Sequence, residues 1–156
     1  MKENKIKTFQ DACEALGIGS PEALPELLQP KFADIVPSHI KALLKLEIIA
    51  NALNGGWQWI PDGTTRGWWP WFWFYTKDEV ERMSDKEKAR INLKDARNIS
   101  NGFAGVGSAD TYNAWSASIA HFGSRLASKS EEIVDYFGTQ FIDIWMEYLM
   151  IPIIAR

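Results

Sequence analysis

The chain has 156 residues, 46% hydrophobic and 24% charged, which is ordinary globular usage and excludes disorder as an overall reading. Its formal net charge of −3 argues against nonspecific binding to nucleic acid or anionic membrane, while leaving a local basic patch open. One cysteine, Cys13, cannot form an internal disulfide.

This length fits one domain, taken as residues 1–156. No stretch approaches the roughly eighteen uncharged apolar residues of a membrane span. The N-terminal MKENKIKTFQDACEAL lacks the continuous apolar run of a signal peptide. A cytoplasmic location is the expectation.

In chain order, Thr8 followed by Asp11 fits a capping box. Phe9, Ala12, Cys13 and Leu16 recur at helical spacing until Gly17 and Gly19 end the element. Cys13 lies on the apolar side and reads as a structural thiol, since nothing supplies it with a base. Pro21, Pro25, Pro30 and Pro37 punctuate the next stretch. Each lacks an N–H and restricts the residue before it, so short helical turns joined by loops are expected. After Pro37 the pattern predicts a helix with Ser38 as its cap and a stop at Asn54-Gly55-Gly56. Its apolar stripe of Leu43, Leu46, Ile49, Ala50 and Leu53 is widened by Ile40, Leu44 and Ile48. A stripe this broad predicts cover on more than one side.

Pro61-Asp62-Gly63 reads as a turn, and Trp68–Tyr75 as a strand rich in aromatic residues that suit a pleated surface. Alternation places Trp69, Trp71, Trp73 and Tyr75 on one face and Trp68, Phe72 and Phe74 on the other. Pro70 predicts an edge strand or an irregular start. The segment 77–97 carries seven basic and six acidic residues, net +1, without ordered apolar periodicity. It reads as an exposed, flexible excursion, with Thr76 and Glu79 capping one short turn. The glycine-, serine- and alanine-rich stretch 102–120 predicts two strands around a turn near Gly107-Ser108-Ala109-Asp110. Finally, Ser128 and Glu131 form a capping-box pattern. It opens a long helix through Ile133, Val134, Phe137, Phe141, Ile144, Trp145 and Tyr148, ending before Pro152. The fold class expected is α+β, helices packed on a small antiparallel sheet.

Chemistry-bearing motifs are sparse. Gly102-Phe103-Ala104-Gly105-Val106-Gly107 lacks the dinucleotide-binding spacing, and there is no phosphate-binding loop. His39 and His121 belong to no short metal-ligating pattern, so no cofactor and no metal are expected. The one acid–base set to weigh is His121 with Ser124, Arg125 and Asp110. There a neutral imidazole could take a proton, Asp110 could orient it, and Arg125 could hold an anion. Nothing in the spacing makes that set specific, and isolated histidines at strand ends are usually hydrogen-bonded surface residues. Six of the eight tryptophans fall between Trp57 and Trp73. Indole faces can stack on sugars, bases or a partner's side chains, and they can equally fill a core.

Four segments carry a family resemblance: KTFQDACEALG at 7–17, KLEIIANALNGGW at 45–57, WWPWFWF at 68–74 and FGSRLASKSEEIVDYFGTQFIDIW at 122–145. In this order they resemble a group of small proteins of unestablished function encoded in gut Bacteroidetes genomes, often in phage-like or mobile regions. Where that family opens its last helix with Phe-Lys-Ser after Gly-Ser-Arg-Leu, this chain has Ala127-Ser128 before Lys129-Ser130. The resemblance implies no catalytic residue and no ligand, and it favours a small accessory protein that binds another macromolecule.

The sequence therefore leads to a non-enzymatic interaction domain with Trp68, Trp69, Trp71 and Trp73 as partner-binding residues, toward a protein partner or a second copy of the chain. The alternative is a small-ligand binder or enzyme with a cleft near His121 and Arg125. A weaker alternative is nucleic-acid binding through residues 77–97, and no membrane partner is expected.

Overall fold

A computed structural model describes residues 4–60, 62–90, 94–95, 103–115 and 124–149. The chain mixes helix and strand. Helix α1 (Phe9–Ala15) opens on a complete capping box: Thr8 Oγ1 accepts from the Asp11 N–H and the Asp11 carboxylate accepts from the Thr8 N–H. Three short 3-10 turns follow, Pro21–Ala23, Glu26–Leu28 and Pro30–Phe32, as the proline spacing requires.

Helix α2 (Ser38–Asn54) is the central element. Ser38 is its first residue and not its cap; Pro37 holds the cap position without a side-chain bond. It ends on Gly55 in the left-handed region (φ 61°), where the Gly56 N–H donates to Asn51 O and the Gly55 N–H to Ala52 O. This is a Schellman ending, and a glycine accepts its positive φ without strain. Ala42, Leu46, Ile48, Ile49 and Ala50 are buried, so the helix is covered on more than one side.

Strand β1 (Arg66–Thr76) pairs antiparallel with β3 (Phe103–Trp115), and β3 pairs with the two-residue β2 (Lys94–Asp95), giving the order β1-β3-β2. On the other side of β1, Trp68 exchanges both backbone bonds with Ser128, at 3.0 and 2.8 Å. Pro70, two residues along, turns its nitrogen to that same outer side, so its missing N–H breaks no bond to β3.

Residues 103–115 form one strand, not two around a turn. The small residues read as a turn run on past β1, and the register slips at Ala109, between Trp71↔Asp110 and Phe72↔Ser108, and again at Ala104, between Tyr75↔Gly105 and Thr76↔Phe103. These are β-bulge irregularities, and they absorb what glycine and alanine suggested in the sequence.

The charged segment is also more regular than its periodicity suggested. Helix α3 (Lys77–Arg82) carries a capping box from Thr76 and Glu79. Helix α4 (Asp85–Arg90) is preceded by a second box, Ser84 with Glu87. Local side-chain bonds to orphan N–H groups build these helices where no apolar stripe exists.

The C-terminal helix predicted from Ser128 is two helices, α5 (Glu131–Gln140) and α6 (Ile142–Leu149), broken at Phe141 (φ −107°, ψ 23°). The cap is Ser130, whose hydroxyl accepts from the Ile133 N–H; Ser128 is wholly buried in its bridge to Trp68. The break lets Phe137, Phe141 and Trp145 converge. Trp145 stands 5.0 Å from the Phe137 ring and 5.3 Å from Phe72 of β1, and its Nε1–H donates to Phe137 O. The main core joins these residues to Leu46, Ile49 and Ala50 of α2, to Ala12 and Cys13 of α1, and to Leu126. Burial pushes the Cys13 thiol up, away from the thiolate a nucleophile needs.

Candidate functional site

Two surfaces meet at the aromatic segment. The first is the outer face of β1. Phe72 points into the core, so Trp69, Trp71 and Trp73, on the alternate positions, point away from the helices. Their fates differ. Trp69 is fully buried beneath Trp59, with ring centroids 5.7 Å apart and planes 79° apart, and it packs on Ala127 in a small second core. It is a packing residue and cannot be a partner surface. Trp68, on the opposite face, is half-buried. Trp71 and Trp73 are 39% and 54% exposed and meet edge-on at 6.4 Å. Directly across the strand pair from Trp73 and Tyr75 lie Gly107 and Gly105, which set no Cβ beside the aromatic rings.

Gly67 shows how closely the second core is packed: a Cβ there would lie 2.7 Å from Trp69 and 2.9 Å from Trp59. The loop before it is held by Asp62, whose carboxylate accepts from the Thr65 hydroxyl and from the Thr65 and Thr64 N–H groups. Those bonds, the Thr65 hydroxyl foremost, hold Asp62 well below the usual carboxylate range. Thr65 O in turn accepts from Trp59 Nε1, at 3.3 Å.

The second surface is a cleft of about 360 Å³ between the C-terminal half of α2, the segment that follows it, and residues 125–127. Glu47, Asn51 and Asn54, spaced four and three residues apart on α2, contribute one wall. Trp57, Gln58, Trp59 and Arg125 contribute the others. Arg125 and Glu47 form an ion pair at 3.5 Å. The floor is fixed by Asn54, 2% exposed: its Nδ2 donates to Ala127 O at 2.8 Å and its Oδ1 accepts from the Lys129 N–H at 3.0 Å. The Lys129 ammonium donates to Asn54 O at the C-terminal end of α2, where a cation is favoured.

Of the acid–base set weighed in the sequence, the structure places Arg125 in this cleft. Asp110 holds the register position opposite Trp71, and Ser124 begins the 3-10 turn Ser124–Leu126. His121 lies outside the described residues, and the geometry of the set lies outside them with it. Among the described residues no three His, Cys, Asp or Glu side chains gather as a metal site, and no helix is long and apolar enough to cross a membrane. Sequence reasoning missed Glu47, Asn51, Asn54 and Gln58. The available signal was a polar line at i, i+4 and i+7 through the most apolar, C-terminal half of α2, ending in a left-handed glycine.

Comparison with protein-family models, with curated proteins and with solved structures finds no match to this chain.

Proposed function

We propose that this chain is a non-enzymatic accessory protein that binds another protein, or a second copy of itself, through the outer face of β1, with Trp71 and Trp73 as anchors. The observation that carries this reading is the exposure of two neighbouring indoles, 39% and 54%, on one face of β1, while Phe72 on the other face packs against Trp145 in the core. Tryptophan is enriched, with tyrosine and arginine, where truncation weakens an interface, and its rigid ring loses little entropy on docking. The net charge of −3 favours a protein partner over nucleic acid. The resemblance to small proteins of phage-like and mobile regions fits an accessory role in the cytoplasm.

A photo-crosslinking phenylalanine analogue placed at Trp73 tests this in the cell of origin. Ile35, 74% exposed and far along the chain, is the control position. A discrete adduct from position 73, absent from position 35 and lost when Trp71→Ser is added, supports the reading. An adduct of twice the chain's mass identifies self-association. Equal labelling from both positions, or none from 73, overturns it.

A further inference from the structure

The cleft beside Asn54 has a chemistry of its own, separate from the Trp71–Trp73 face. We propose that it is a binding site for a neutral, hydroxyl-rich ring, a pyranose unit of a saccharide. Its volume of about 360 Å³ falls among the clefts that hold small molecules. Four observations select the ligand class.

The polar groups of the lining come in both senses. The amides of Asn51 and Gln58 each donate and accept, the Glu47 carboxylate accepts, and the Arg125 guanidinium donates. A hydroxyl also does both, so a ring bearing several can satisfy such a lining from more than one side. The charges cancel: Arg125 is paired with Glu47 at 3.5 Å, which leaves no surplus cation for a phosphate or carboxylate. Two half-buried indoles, Trp57 and Trp59, supply the apolar part of the wall. The axial C–H groups of a pyranose present a flat apolar patch to such a ring, while its equatorial hydroxyls point outward to the amides.

The wall is also set in advance. Trp59 is pinned by its Nε1 bond to Thr65 O and by its edge contact with Trp69, and both polar ends of the Asn54 amide are bonded to residues 127 and 129. A site ordered before the ligand arrives loses less freedom on binding. A wholly apolar ligand would bury the amides and the ion pair without hydrogen bonds, which is costly.

The test uses the full chain and follows the indole Nε1–H resonances of Trp57 and Trp59 by NMR. The probes are glucose, galactose, N-acetylglucosamine and their β-1,4-linked disaccharides, with adenosine and inorganic phosphate as rivals. At least one saccharide should shift the Trp57 resonance saturably below about 10 mM, an ordinary range for a single-ring site. Gln58→Ala and Arg125→Ala, both at exposed positions, should weaken that binding by about tenfold or more, and Trp71→Ser should leave it unchanged. Adenosine binding alone would make this a base-stacking site, and phosphate binding alone an anion site; either overturns the proposal. So does the absence of any saccharide response in the folded protein. Because Trp71 is not part of the cleft, loss of crosslinking at position 73 and loss of saccharide binding are separable failures.

Discussion

Asn54→Ala removes one buried amide that ties the end of α2 to the segment 127–129 by two bonds. The Nδ2 bond to Ala127 O and the Oδ1 bond from the Lys129 N–H both disappear, and the site is 2% exposed, so water does not replace them without rearrangement. Each lost hydrogen bond costs about 1 kcal/mol net, and a buried partner left unsatisfied costs about 1–3 kcal/mol. Alanine's higher helix propensity offsets up to about 0.5 kcal/mol at the end of α2. The balance is a loss of about 2–4 kcal/mol, which lowers Tm by roughly 5–15 °C for a chain of this size. Urea unfolding followed by far-UV circular dichroism gives the free energy, and Asn51→Ala is the comparison. Asn51 lines the same cleft from an exposed position one helical turn earlier, so its replacement should change stability by no more than about 0.5 kcal/mol. If the two variants unfold together, or Asn54→Ala loses less than about 1 kcal/mol, the amide is not the clamp described above.

Ser130→Ala should cost about 1 kcal/mol as the loss of a helix cap, whereas Ser128→Ala should be neutral or slightly stabilising. The Ser128 Oγ is buried with no hydrogen-bond partner among the described residues, and paired urea melts separate the two outcomes. Gly67→Ala should destabilise by about 1–3 kcal/mol through overpacking against Trp59 and Trp69, with loss of near-UV dichroism; an unchanged spectrum would contradict that packing. Trp145→Ala should cost about 3–5 kcal/mol, measured by urea unfolding, because the indole fills the space between Phe72 and Phe137. The folded pKa of Asp62 lies below its unfolded value, so its contribution is complete above about pH 4 and fades as pH falls further. Asp62→Asn at neutral pH should reproduce the acid form, with the Trp59 indole resonance broadened or moved; a resonance identical to wild type would refute the loop's role.

Local rules made much of this fold legible. Thr8 with Asp11, the four prolines, and Gly55 after Asn54 each act through the nearest few backbone groups, and each predicted its element. Long-range pairing was the harder part. Ser128 carries the same S-x-x-E pattern that genuinely caps at Ser84, yet its backbone is taken by Trp68, sixty residues back in the chain, and the cap passes to Ser130. Gly107 and Ala109 suggested a turn because their pairing with β1 is not written in the local sequence; Gly107 in fact stands opposite Trp73 within one strand. The cleft was hidden for a similar reason. Asn54 looked like part of a helix stop, and only the fold brings residues 127 and 129 to its amide. Exposure was the other unknown: alternation correctly grouped Trp69, Trp71 and Trp73, but only Trp59, folding back, decides which of them is covered.

The unequal cover of these indoles also gives the protein an intrinsic optical readout. Trp69 and Trp145 are fully buried and should emit toward the blue, while the more exposed Trp71 and Trp73 should emit toward the red. A single emission band therefore runs between these two extremes, with the half-buried Trp57, Trp59 and Trp68 between them. Ligand or partner contact at the open pair should erode only its long-wavelength side, and loosening of the interior should move the short-wavelength side first. Docking and unfolding can thus be told apart in one unlabelled sample, without adding a dye or changing a residue.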